Sequence, residues 1–300
     1  MAPAEQTSQP FKAALWMLGA IASFTLMAIA GRAVSVELDT FELMMYRSFI
    51  GIAIVVSVAA ALGTLKDVQT ANLKLHLFRN LSHFAGQNLW FAALVMIPLA
   101  QVVALEFTSP IWIALLAPIF LSEKLTKLRL LVAFFGFIGA MIVAQPDFSD
   151  IEPGVLLALG AAIGFAGSAI FTKLLTRKER ITSILFWLTV MQAVFGVICA
   201  SMDGDVAIPS LSLLPWVGLV AVTGLAAHFC LTSALIHAPA TIVMPFDFAR
   251  LPVIALVGVF LYSEPLEFTV ILGAVIIFGA NYLNIAAENR LNKRVKDQVT

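Results

Sequence analysis

Glu106, Asp247, Arg47 and Arg250 stand inside long apolar runs, and such groups are the first candidates for chemistry in this chain. An ionisable side chain within a bilayer costs several kcal/mol unless it is paired or faces water. Arg47 and Glu106 fall at similar depth, roughly 9 and 10 Å from the same end of their spans at about 1.5 Å per residue. They are expected to pair or to share a polar pocket, and a purely structural ion pair is the plainer alternative. Asp247 and Arg250 lie three residues apart on one helical face and can touch. Arg250 reaches roughly the midplane, where it can meet an anionic substrate or merely neutralise Asp247. Glu106 and Asp247 are also the first choices for carrying a coupled proton. Asn80, His83, Gln87 and Trp90 recur at spacings of three, four and three, a single helical stripe. Such a stripe can line a path for a planar polar ligand, or hydrogen-bond one helix to another. Gln87 has a counterpart in His228, and either histidine can titrate near neutral pH. Trp112, beyond Glu106, is a further candidate for ligand contact.

The elements that must position these residues come as a repeat. Ala93–Glu123 laid on Ala234–Glu264, an offset of 141, gives ten identities in 31 positions. They include Pro98/Pro239, Phe107/Phe248 and Glu123/Glu264, and Glu106 falls on Asp247. Gly19, Phe24, Ala28 and Ile29 recur as Gly160, Phe165, Ala169 and Ile170. The repeats are expected at 1–145 and 146–287, with a basic tail at 288–300. Prolines follow the acid in each half: Pro110 lacks the amide that would bond the Glu106 carbonyl, and Pro252 likewise frees that of Phe248. Broken helices at matching places in two halves point to a substrate site. Gly160 and Gly164, matched by Gly19 and Ser23, are expected to let helices pack closely.

The chain is 61% apolar and 12% charged, with no net charge. That excludes an ordinary soluble enzyme and gives no hint of nucleic acid. A bilayer core needs about 20 apolar residues per helix. Ten segments qualify: 11–31, 41–63, 77–97, 99–122, 128–145, 153–176, 181–201, 212–236, 239–262 and 266–286. The fold class is therefore all-α and integral to the membrane, ten helices in two inverted five-helix repeats. The first segment is read as a span and not a cleaved signal, because residues 1–10 carry no Lys or Arg and Gly19 and Phe24 have interior partners. With both termini in the cytoplasm, 15 of the 18 basic residues fall inside, Arg79 among them, and only Arg32 falls outside. The outer loops are acidic, at Asp147, Asp150, Glu152, Asp203, Asp205, Glu264 and Glu267. Trp16, Trp187 and Trp216 lie toward helix ends, as interfacial residues do. Cys199 and Cys230 are expected to be small buried side chains.

No phosphate-cradling loop, nucleophile elbow, zinc motif or paired-cysteine motif occurs, so no cofactor, metal or catalytic residue is expected. A membrane-embedded enzyme would need a clustered nucleophile and base. A non-transporting sensor would not need an acid in each half.

Met45-Tyr46-Arg47-Ser48-Phe49, the run from Pro110-Ile111-Trp112 to Phe120-Leu121-Ser122-Glu123-Lys124-Leu125, and its second copy Leu261-Tyr262-Ser263-Glu264-Pro265-Leu266 resemble the EamA family of the drug/metabolite transporter superfamily. The resemblance runs from about residue 11 to 286. It implies a carrier of the bacterial inner membrane with a cavity between the repeats. It implies no universal catalytic residues. Arg79-Asn80-Leu81-Ser82-His83-Phe84 through Glu106-Phe107-Thr108-Ser109-Pro110 looks closest to branches carrying riboflavin or S-adenosylmethionine. Riboflavin uptake is the leading expectation, its ring stacking on Trp90, Trp112 or a Phe and its chain bonding His83, Gln87 and Arg250. An amino-acid or drug exporter and an S-adenosylmethionine carrier are the alternatives. Partners are a small-molecule substrate and the lipid bilayer. Oligomeric state is left open.

Overall fold

A computed structural model describes residues 9–121, 126–145, 152–202 and 204–264, together with 268–269, 271–273, 275–276, 279–280 and 282–283. Every described secondary-structure element is helical. The first repeat supplies α1 (Pro10–Val34), α2 (Thr40–Ala61), α3 (Leu73–Met96), α4 (Leu99–Glu106), α5 (Ser109–Phe120) and α6 (Lys127–Ala144). The second supplies α7 (Pro153–Thr176), α8 (Ile181–Ala200), α9 (Leu214–His237), α10 (Ala240–Phe246) and α11 (Arg250–Tyr262), followed by helical residues between 268 and 283. Each of the ten expected segments is thus occupied by helix, with the fourth and ninth broken in two. The basic tail at 288–300, the acidic residues Asp147, Asp150, Asp203 and Glu267, and Ser122 to Leu125 lie outside the described residues.

Local signals explain the ends. Asp39 caps α2, taking the Glu42 amide while Glu42 takes its own, so two orphan amides are satisfied together. Proline opens α1, α7 and α9 within the first turn, where a missing amide costs nothing. The breaks in the fourth and ninth spans follow the same rule. Pro110 falls in the first turn of α5, and Pro252 is the third residue of α11. Each half-helix restarts just ahead of its proline, and the residues left between are 107–108 in one span and a short 3-10 turn at 247–249 in the other.

The packing follows the offset. The most extensive pairings are α1 with α9 and α3 with α7, which are equivalent when the repeats are exchanged. The second helices α2 and α8 pack on each other, and the broken spans cross, α4 against α11 and α5 against α10. Phe107 and Phe248, counterparts in the repeat, meet edge to face at 4.9 Å between ring centres on this axis. Small residues permit the α3–α7 approach: a Cβ built on Gly164 would stand 2.7 Å from the Gly86 Cα and 2.8 Å from the Ser82 carbonyl. Because that obstacle is backbone, no rotamer change relieves it, which is the expected close packing at a small-residue pair.

Loop contacts sort into two ends of the bundle. At one end Arg32 pairs with Glu264 at 3.0 Å, and Glu37 accepts from Ser210. Tyr46 donates to the Ala207 carbonyl at the same end. At the other, Arg180 pairs with Asp67 at 2.9 Å, Glu179 accepts from His76, and Arg177 donates to the Leu121 carbonyl. Among the described residues, five helices, α1, α2, α7, α8 and α9, are long and apolar enough to cross a membrane. The polar stripe of α3 and the two broken spans keep those segments out of that group.

Candidate functional site

The two broken spans bring their acids to a single arginine. Arg250 Nη2 donates to Glu106 Oε1 at 2.5 Å and to Asp247 Oδ2 at 2.8 Å. Trp90 Nε1 donates to the other Glu106 oxygen at 2.8 Å. The guanidinium lies over the rings of Phe24 and Phe107, 5.1 and 5.5 Å from their centres. Arg250 is only 2% exposed. A desolvated cation between two carboxylates and two ring faces is held by charge, hydrogen bond and cation–π attraction together. The break in the fourth span makes this geometry possible. The Glu106 carbonyl, deprived of an amide at Pro110, accepts instead from the Ser109 hydroxyl at 2.5 Å. In the ninth span the Arg250 amide turns back to the carbonyls of Asp247 and Phe248.

The pairing of Arg47 with Glu106, expected from depth alone, does not occur. Equal depth does not make neighbours: α2 packs on α8 and α9, while α4 crosses α11, so Arg250 is the cation that reaches Glu106. Arg47 lines a small side pocket with Thr189, Gln192 and His228. Its only described hydrogen-bond contact is to Met27 Sδ at 3.9 Å.

A central cavity of about 50 Å³ runs from this cluster down α3. Of the expected residues, His83, Gln87, Trp90, Glu106, His228, Asp247 and Arg250 line it. Asn80, the fourth member of the stripe, faces α8 instead and donates to the Trp187 carbonyl. His83 and His228 touch, Nε2 to Nε2, at 2.8 Å, so one ring donates and the other accepts. Gln87 Nε2 and His83 Nδ1 have no hydrogen-bond partner among the described residues. Trp112 is a correction: it is 38% exposed and absent from the cavity wall. It stands on α5, beyond the break at 107–108, so its face is set by the second half-helix and not by distance from Glu106.

Arg79 is the residue the sequence reading misplaced. It was counted among the basic groups of the inner loops, yet it is 2% exposed and lines the cavity. Its Nε donates to Thr172 Oγ1 at 3.2 Å and its Nη1 to Asn80 Oδ1 at 2.8 Å. The signal was present in the spacing: Arg79 is four residues before His83, so it continues the polar stripe by one more turn.

The chain matches the EamA-like transporter family model twice, over residues 11–145 and 152–286. The chain belongs to the EamA-like transporter family. It is a multi-pass membrane protein built as two repeats. A riboflavin transporter of Brucella anthropi is 34% identical over 223 residues, covering 72% of this chain and 78% of the relative. A riboflavin transporter of Vibrio cholerae is 28% identical over 271 residues, 89% of this chain and 91% of the relative. An S-adenosylmethionine uptake transporter of Rickettsia bellii is 26% identical over 281 residues, 93% of this chain and 96% of the relative. A solved structure titled only "Crystal structure of protein" superposes with a TM-score of 0.75 at 18% identity, covering 93% of this chain and 98% of that one. That likeness speaks for the fold. The family model and these relatives are alike named as transporters.

Proposed function

We propose that this transporter is a secondary carrier that takes up a small organic metabolite across the bacterial inner membrane by alternating access, with both termini cytoplasmic. The observation that carries the reading is the cavity itself. It lies where the two repeats cross, it is lined by charged, amide, imidazole and aromatic side chains, and it is small. About 50 Å³ admits a few water molecules and no metabolite. A passenger therefore enters only when helices part. The short breaks at 107–108 and 247–249 are hinge points at matching places in the two repeats.

Riboflavin is the first substrate to test. Two of the relatives carry that name, and Phe24, Trp90 and Phe165 offer ring faces in the cavity. S-adenosylmethionine is the second, favoured by a cavity that holds carboxylates and further arginines together, as a zwitterion requires. Glu106 and Asp247 are the places where a driving proton would enter. Both are paired with Arg250 in this conformation, and separation of either from it as the helices move would leave a buried carboxylate that takes up a proton. The decisive experiment is uptake of labelled riboflavin, and separately of labelled S-adenosylmethionine, by cells that express the chain and lack their own route. Accumulation of one of them above the empty-vector control is expected. Failure of both, with gained resistance to an amino-acid analogue, would replace uptake by export.

A further inference from the structure

The cavity has two charged regions, and in only one of them do opposite charges meet. Around Arg250, two carboxylates face one guanidinium. Around the histidine pair there is no carboxylate at all among the described ion pairs, yet two guanidiniums are buried there. Arg79 opens on the central cavity and Arg47 on the side pocket, and His228 lines both spaces. Arg79 is 2% and Arg47 6% exposed. Among the described residues the hydrogen bonds of Arg79 go to neutral oxygens, and Arg47 has only a thioether, a weak acceptor. The two like charges also repel each other. Other polar groups here can donate: Gln87 Nε2, which has no partner among the described residues, and the hydroxyls of Ser168 and Thr172. Gln192 Oε1, in the side pocket, is a neutral acceptor, so among the described residues donors and positive charge meet no carboxylate beside the histidine pair.

We propose that Arg79 and Arg47, on either side of the His83–His228 pair and with Gln87 beside them, form a subsite for an anionic group of the transported metabolite, a carboxylate or a phosphate. A buried guanidinium is costly without an opposite charge, and a cation pair costs more. A neutral carbonyl would supply an acceptor and leave both charges uncompensated. The subsite rests on the reading of the cavity as the transport site, and it narrows the substrate to a class. Arg79 and Trp90 are eleven residues apart on α3, about 16 Å along the helix axis. A passenger of that length can place its acid on Arg79 and its ring on Trp90 and Phe24. Any cationic group it carries would then fall near Glu106 and Asp247. Arg250, with both acids already on it, is the clamp of the site and not its anion receptor.

The test uses two pairs of probes on the purified full-length chain: S-adenosylmethionine against its decarboxylated form, which keeps both cationic groups, and flavin mononucleotide against riboflavin. The first member of each pair bears a carboxylate or a phosphate that the second lacks. Competition binding is expected to favour the acid-bearing member of at least one pair by about tenfold or more. Arg79→Gln and Arg47→Gln should each level that preference, while Arg79→Lys keeps part of it. The wild-type comparison stands even where a variant fails to fold. Equal or stronger binding of the member without the acid in both pairs overturns the subsite, and so does a preference that survives Arg79→Gln. Transport of riboflavin alone would remove the subsite and leave the carrier intact. Binding of none of the four would remove the subsite and the substrate reading together.

Discussion

The fourth and ninth spans are two copies of one device, and they differ at a single informative position. Both break at an acid, both restart ahead of a proline, and their equivalent phenylalanines touch across the repeat axis. The residue three beyond the acid is Ser109 in one copy and Arg250 in the other. Ser109 turns inward to its own span and satisfies the carbonyl the break exposes. Arg250 turns outward and gathers the acids of both spans. A duplicated backbone thus carries an asymmetric charge, and one cation closes a contact that neither repeat could make alone.

Removing that cation is the strongest way to break the comparison. Arg250→Ala leaves two carboxylates buried without a counter-charge, a loss of about 3–5 kcal/mol. Thermal unfolding in detergent should show a large drop, with transport abolished. The triple variant Glu106→Gln, Asp247→Asn, Arg250→Met sharpens the point. Replacing a buried ion cluster by neutral groups is often close to neutral for stability, so most of the lost unfolding temperature should return while uptake does not. A return of uptake would deny the cluster any part in transport.

Glu106→Gln alone separates structure from coupling. It keeps the shape and removes the titrating group, so concentrative uptake should be lost and exchange of substrate across the membrane retained. Retention of both would exclude Glu106 as a proton carrier. The Ser109 side of the comparison is worth less. Ser109→Ala leaves the Glu106 carbonyl unsatisfied and should cost about 1 kcal/mol, read as a small fall in unfolding temperature with uptake kept.

The smallest effect lies outside the membrane-spanning part, at Glu179. Burial raises its carboxyl, but hydrogen bonds with Ser183, Asn72 and His76 outweigh this and hold it below the ordinary value of 4.5. A carboxyl depressed in the folded state stabilises above its unfolded value and loses that contribution as pH falls through the folded one. Glu179→Gln should therefore flatten the acid side of the stability profile below about pH 4.5 and leave the broken spans unaffected.

Much of this was legible along the chain. The offset of 141, the acid kept at 106 and 247, and the prolines that follow them announced the two breaks before any coordinates. The stripe through His83, Gln87 and Trp90 marked a cavity wall, because no lipid-facing helix tolerates it. Partners across the bundle were not legible. Arg47 and Glu106 match in depth, carry opposite charges and still do not meet, since depth is a one-dimensional quantity and adjacency is set by which helices cross. Trp112 erred for a related reason, being assigned by distance along the helix and not by angle around it. Arg79 was lost to bookkeeping by loops, although its spacing from His83 placed it on the stripe.

Sequence alone determined the class of this molecule: spans, repeats, breaks and family follow from hydropathy, duplication and proline chemistry, all of which act locally along the chain. Only the tertiary structure decided that Arg250 holds both acids, that His83 meets His228, and that Arg79 and Arg47 lie buried without a carboxylate. Those facts depend on which helix faces join in space, and helix packing is fixed by small residues such as Gly86 and Gly164 that no hydropathy pattern reveals.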